Sequence, residues 1–130
     1  MKLVSKISII IVFIIPVFIG ACKKQMTCGC DKDVLHSLEG SQVMIQFDEE
    51  NKSAQFTPLS NQYATYYFCN PTTMMDKLTK FTNGDIVLID GEAYYECNYM
   101  QQASNSPYYS GMYQAYMITV FDVREDLYGK

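Results

Sequence analysis

The chain has 130 residues with 10 basic and 14 acidic side chains, 5 Cys, 11 Tyr, 7 Phe and no Trp. An acidic chain without a Lys/Arg cluster argues against a nucleic-acid partner. A charged fraction of 18% with this many aromatics excludes a disordered chain and suits an exported β-rich domain.

Lys2 and Lys6 precede an apolar run over residues 7–19, broken only by Ser8 and Pro16. At roughly 15 apolar residues this run falls short of the ~20 that span a bilayer, and small residues follow it, so residues 1–21 read as a secretory leader rather than an anchor helix. Ile19-Gly20-Ala21-Cys22 resembles the lipobox of bacterial lipoproteins. That resemblance implies cleavage before Cys22, a diacylglycerol on its sulfur and an acylated new amine. Acyl chains contribute about 0.8 kcal/mol per buried CH₂, so several of them hold the chain to the membrane. Without residues 1–21 the chain is 109 residues, one domain's worth, and losing Lys2 and Lys6 takes the net charge from −4 to −6. No Asp follows Cys22, and the polar tether over residues 23–27 has no acidic run. Neither the inner-membrane retention signal of enteric lipoproteins nor the surface-export signal of Bacteroidota lipoproteins is therefore resembled. The expected location is the outer membrane, facing the periplasm.

Cys28-Gly29-Cys30-Asp31 comes next. With Cys22 lipidated, Cys28, Cys30, Cys69 and Cys97 remain, an even number in an oxidising compartment, and two disulfides are expected. Three pairings are open. A Cys28–Cys30 bridge is strained, so both are expected to reach Cys69 and Cys97. Each such bridge closes a loop of roughly 40–70 residues, for about 4 kcal/mol on the chain-entropy account. Zinc ribbons use paired C-x₂-C knuckles, whereas Cys69 and Cys97 stand alone. A redox-active C-x-C needs cationic neighbours, and Asp31 and Asp33 are the reverse. Residues 22–33 thus form a lipidated tether with the C-x-C, and residues 34–130 a single domain.

Residues 34–38 read as a helical turn or loop ending at Gly40. His36 is the only histidine and has no partner motif. Residues 42–48 alternate cleanly, with Val43, Ile45 and Phe47 on one face, as a half-buried strand does. The acidic turn from Asp48 lacks the D-x-[DN]-x-[DN]-G calcium pattern and reads as a hairpin tip. Residues 54–59 return as a strand that Pro58 places at an edge or end. The aromatic, β-branched run over residues 63–69 is a third strand, stopped by Asn70-Pro71. A helix over 73–82 follows, capped by Thr72 or Thr73, with Met74, Leu78 and Phe81 as its apolar stripe and Asn83-Gly84 as its stop. Residues 85–97 form a long strand with Val87, Ile89, Gly91, Ala93, Tyr95 and Cys97 inward and a bend or bulge at Gly91. A polar, Tyr-rich loop leads to the last strand, 113–123. There Ala115, Met117, Phe121 and Val123 share one face and Ile118 and Val120 the other, so that strand is central or covered.

Five strands with one helix between the third and fourth is the element order of a mostly β, five-stranded OB-like Greek-key barrel; another small α+β sheet has the same order. The lipobox, the C-x-C at Cys28/Cys30, and the pattern Cys69-Asn70-Pro71, helix, Gly84, Val87 and Gly91 resemble small exported lipoproteins common in Bacteroidota. The resemblance implies lipidation and a small β-barrel, and no reaction.

There is no G-x-S-x-G, no H-E-x-x-H and no complete catalytic constellation. Asp90 and Glu92 share an outer strand face, where they are solubilising charge unless a cleft encloses them. The chain is expected to be a non-enzymatic, lipid-anchored binding or accessory domain with no cofactor or metal. OB-like barrels bind along their second and third strands, so the expected ligand surface is Tyr63, Tyr66, Tyr67 and the group Tyr108, Tyr109, Tyr113, facing a protein, peptide or glycan. The alternative is an exported thiol–disulfide protein using Cys28 and Cys30.

Overall fold

The computed structural model describes residues 27–98 and 114–128. Its strands are β1 (His36–Asp48), β2 (Ser53–Pro58), β3 (Ala64–Phe68), β4 (Ile86–Tyr95) and β5 (Gln114–Glu125), with helix α1 (Pro71–Leu78) between β3 and β4. They close a barrel in the order β1-β2-β3-β5-β4. β3 and β5 run parallel; the four other pairings are antiparallel. This is a small OB-like barrel, as the element order indicates, and β5 is paired on both sides.

Period-two alternation builds the interior. Val43, Ile45, Val87, Ile89, Ala93 and Ile118 have no exposed surface, and Phe56 and Val120 have almost none. Met74 and Leu78 of α1 are buried against this core, with Phe81 packed at its margin. Phe56 stacks on Tyr66 at 4.9 Å between ring centroids and meets Phe68 edge-on at 6.0 Å.

Residues 27–35 form a strap along the edge of β4. Gly29 N–H donates to the Tyr95 carbonyl at 2.7 Å and Leu35 N–H to that of Ala93 at 2.8 Å. Disulfides join Cys28 to Cys97 and Cys30 to Cys69, closing separations of 69 and 39 residues.

Local expectations fail in four places. First, residues 36–40 belong to β1: His36, Ser37 and Leu38 pair with Ala93, Glu92 and Gly91. Gly40, at φ 56°, sits in an irregularity between Leu38 and Ser41 that interrupts the alternation and hides the strand. Second, α1 starts at Pro71 and ends at Leu78, with Asn70 at the N-cap position and no side-chain cap. Asn70 is occupied otherwise: its amide donates to the Val120 carbonyl at 2.8 Å and accepts from Val120 N–H at 3.0 Å, standing in for one more residue of the β3–β5 ladder. Gly84 lies beyond the helix, in the turn into β4. Asn83 plays the same part as Asn70, bonding both Phe47 N–H and its carbonyl. Third, Phe121 faces outward, 54% exposed, while Ile118, Val120 and Val123 face inward. Asp90 pairs with Asp122 and Gly91 with Val120, so Phe121 is the extra residue of a β-bulge that reverses the face. Gly91 marks that bulge from the other strand: a Cβ there would lie 2.6 Å from the Thr119 carbonyl oxygen. Fourth, the alternation of β4 ends at Ala93, and Tyr94 is buried while Tyr95 is half-buried.

Candidate functional site

The outer wall of β1–β2–β3 carries an uncharged polar row. Register places Gln46 of β1 opposite Gln55 of β2, and Gln55 opposite Tyr67 of β3. The Gln55 amide donates to the Gln46 side-chain oxygen at 2.8 Å, which orients both amides. Tyr67 is 41% exposed. These side chains, with Phe47, Asp48 and Ser53, line a shallow depression of about 360 Å³.

Asp48 is committed to its own turn. It accepts Glu50 N–H and Asn51 N–H on one oxygen and the Asn51 amide on the other. The two hydrogen bonds from Asn51 hold its carboxyl below the usual value of 3.8 against an opposing desolvation, and the bond from Glu50 adds a lesser share. The depression therefore offers amides and a phenol ring, groups that hydrogen-bond and stack. Among the described residues no group of three His, Cys, Asp or Glu could hold a metal ion.

Of the tyrosines expected on the ligand surface, Tyr63 and Tyr67 are exposed and Tyr66 is not. Tyr66 follows the inward parity of Ala64 and Phe68 and is 6% exposed. It stacks between Phe56 and Tyr116, each at 4.9 Å, and its hydroxyl lies 3.1 Å from His36 Nε2. Burial, and secondarily Tyr116, push its phenol up to about 12. Tyr108, Tyr109, Tyr113 and Cys22 lie outside the described residues. His36 is thus a barrel residue between two tyrosine rings, both edge-on at 6.0 Å.

Asp90 is tied up as well. Arg124 Nη2 reaches its two oxygens at 2.8 and 2.7 Å, and Gly40 N–H donates at 2.6 Å. Gln46 and Gln55 were missed from sequence; the signal was there, since both lie on the polar side of their alternating strands.

No family model matches the chain, and no curated protein or solved structure matches it either.

Proposed function

We propose that the chain is an envelope lipoprotein. Its OB-like barrel, tethered through a lipid on Cys22 to the outer membrane and facing the periplasm, acts as a non-enzymatic binding or accessory domain for a protein, peptide or glycan. The observation that carries the binding role is the wall of β1–β2–β3, where Tyr67 stands in register with the hydrogen-bonded pair Gln46–Gln55. An exposed flat ring beside oriented amides can stack and hydrogen-bond to an uncharged polar ligand. The leader and Ile19-Gly20-Ala21-Cys22 support the anchor. Cys28 and Cys30 bridge to separate partners, which favours a structural clamp over an exchanging C-x-C pair.

The anchor is tested by labelled palmitate with membrane fractionation: wild type takes the label, and Cys22→Ala takes none while its domain still folds. Equal label in both would remove the lipoprotein assignment. The binding role is tested by titrating the full chain with periplasmic peptides and soluble glycan fragments. A ligand that Tyr67→Ser weakens about tenfold, as an interface anchor does, supports it; a full screen without a saturable binder overturns it. A free-thiol count without reductant separates the thiol–disulfide alternative: four blocked cysteines resistant to mild reduction leave it no nucleophile.

A further inference from the structure

Strand β4 passes Gly91 between two irregular neighbours. β1 carries an extra residue between Leu38 and Ser41, and β5 carries Phe121. Both bulges therefore fall against the same two residues of β4, Asp90 and Gly91. Around them the outer wall opens into a groove of about 600 Å³ lined by Ser37, Glu39, Asp90, Glu92, Phe121 and Arg124. Bulges of this kind re-aim side chains, and here one turns Phe121 outward, 54% exposed, in the middle of a paired strand.

The charges around the ring are unequal. Arg124 is spent on Asp90 in a two-pronged contact, and its Nε lies 3.5 Å from Asp122. Glu39 makes no ion pair or hydrogen bond through its side chain among the described residues. Among the described residues the Glu92 carboxylate has a hydrogen bond only from the Tyr94 hydroxyl, at 3.4 Å. An apolar ring is thus flanked by two uncompensated carboxylates on walls otherwise neutralised.

We propose that this groove docks a basic peptide segment, with a lysine or arginine stem laid on the Phe121 ring and its charge meeting Glu39 and Glu92. Long cationic side chains pack their methylenes on apolar surface while keeping the head in a polar setting. The face of an aromatic ring also attracts a cation. An anionic ligand meets repulsion in the same place. The groove is centred on β4, which is not a neighbour of β2 in the barrel, so it stands apart from the Gln46–Gln55–Tyr67 wall.

The test uses the full chain in nonionic detergent and fluorescence anisotropy of three labelled probes: a capped Lys-Leu-Lys-Leu-Lys peptide, its Glu-Leu-Glu-Leu-Glu counterpart and a neutral β-1,4-glucan tetraose. The basic peptide binds saturably, and Phe121→Ser weakens it about tenfold, as does Glu39→Gln with Glu92→Gln. Its affinity falls roughly threefold or more between 50 and 300 mM salt, because the pairing carboxylates are near the surface. Phe121→Tyr retains binding. Three results overturn the proposal: no saturable binding of the basic peptide; equal weakening by Glu49→Gln with Glu50→Gln at the distant hairpin tip, which marks bulk charge; or binding of the glucan with the same sensitivity to Phe121→Ser, which marks a sugar site. Phe121, Glu39 and Glu92 lie outside the core, and matching thermal unfolding curves certify each variant as folded.

Discussion

The barrel and the strap lie side by side and are held by different physics. The barrel encloses Val43, Ile45, Leu78, Val87, Ile89 and Ile118 with no exposed surface. The strap, residues 27–35, encloses nothing: Asp31 to Val34 are exposed and no residue in it is fully buried. Its backbone makes two hydrogen bonds to β4, and Thr27 Oγ1 donates to Asp33 within it. Hydrogen bonds return about 1 kcal/mol each net, whereas ordering the backbone costs about 1–2 kcal/mol per residue. Nine residues cannot be ordered on those terms. The two disulfides make the difference, by restricting the strap's freedom in the unfolded, cross-linked chain. A segment without a core of its own is thus fixed covalently to one that has a core.

The largest expected effect falls on the barrel. Phe56→Ala deletes a ring in contact with two others and should cost about 3–5 kcal/mol, lowering the thermal midpoint by roughly 15–30 °C for a domain this size. Melts followed by circular dichroism check it; a drop of only a few degrees would mean the interior closes over the gap. Next comes the strap. Cys30→Ser with Cys69→Ser opens the 39-residue bridge and should cost about 2–4 kcal/mol. Hydrogen exchange should then become fast at Gly29 and Leu35 while Ile45 and Ile89 stay protected. Loss of protection at Ile45 in step with the strap would show one cooperative unit, and the contrast would fail.

A third experiment probes the junction, where His36 begins β1 against Tyr66. Folded Tyr66 keeps its proton to about 12, against an ordinary 10.0. Between those values the folded chain binds more protons than the unfolded one. The contribution is fully present below pH 10 and is lost as pH rises through 12, amounting to roughly 3 kcal/mol at most. Tyr66→Phe should abolish this share of the alkaline loss and cost about 1 kcal/mol at pH 7, by removing the partner of His36 Nε2. Urea midpoints at pH 7, 10 and 11 decide it; an unchanged alkaline slope would show that other tyrosines set it.

The barrel's element order was legible because alternation survives in a short strand: Val43, Ile45 and Phe47 mark a face without knowledge of the partner. What was illegible came from single-residue offsets. One extra residue at Phe121 inverts the face of everything beyond it, and nothing in Thr119-Val120-Phe121-Asp122 announces the insertion. Gly40 looked like a stop and is a kink inside a longer strand. Tyr66 and Tyr67 have equal standing as aromatic neighbours, and parity alone separates a barrel wall from a ligand face. Asn70 reads as no more than a strand stop because its pairing with Val120 links residues 50 apart in sequence. That both C-x-C cysteines leave the local loop was expected from strain; which partner each takes depends on where β3 and β4 end, and only the fold sets that.

The smallest effect is expected on the barrel's outer wall. Lys77 on α1 donates to Asp122 on β5 at 2.6 Å, with both side chains about 40% exposed. The Lys77 hydrogen bond is the main reason the Asp122 carboxyl sits below its ordinary 3.8, with Arg124 a lesser one. A lowered folded value means that any stabilisation is present at neutral pH and is lost as pH falls through the carboxylate range. In water and salt an exposed pair of this kind contributes about 0.5 kcal/mol or less. The helix has firmer attachments in Met74, Met75 and Leu78, all buried. Lys77→Ala should therefore shift the urea midpoint at pH 7 barely at low salt and not at all in 0.5 M salt. A loss above about 1.5 kcal/mol, well outside the range of exposed pairs, would mean that α1 is latched to β5 from outside. The barrel would then depend, like the strap, on individual cross-links rather than on its interior.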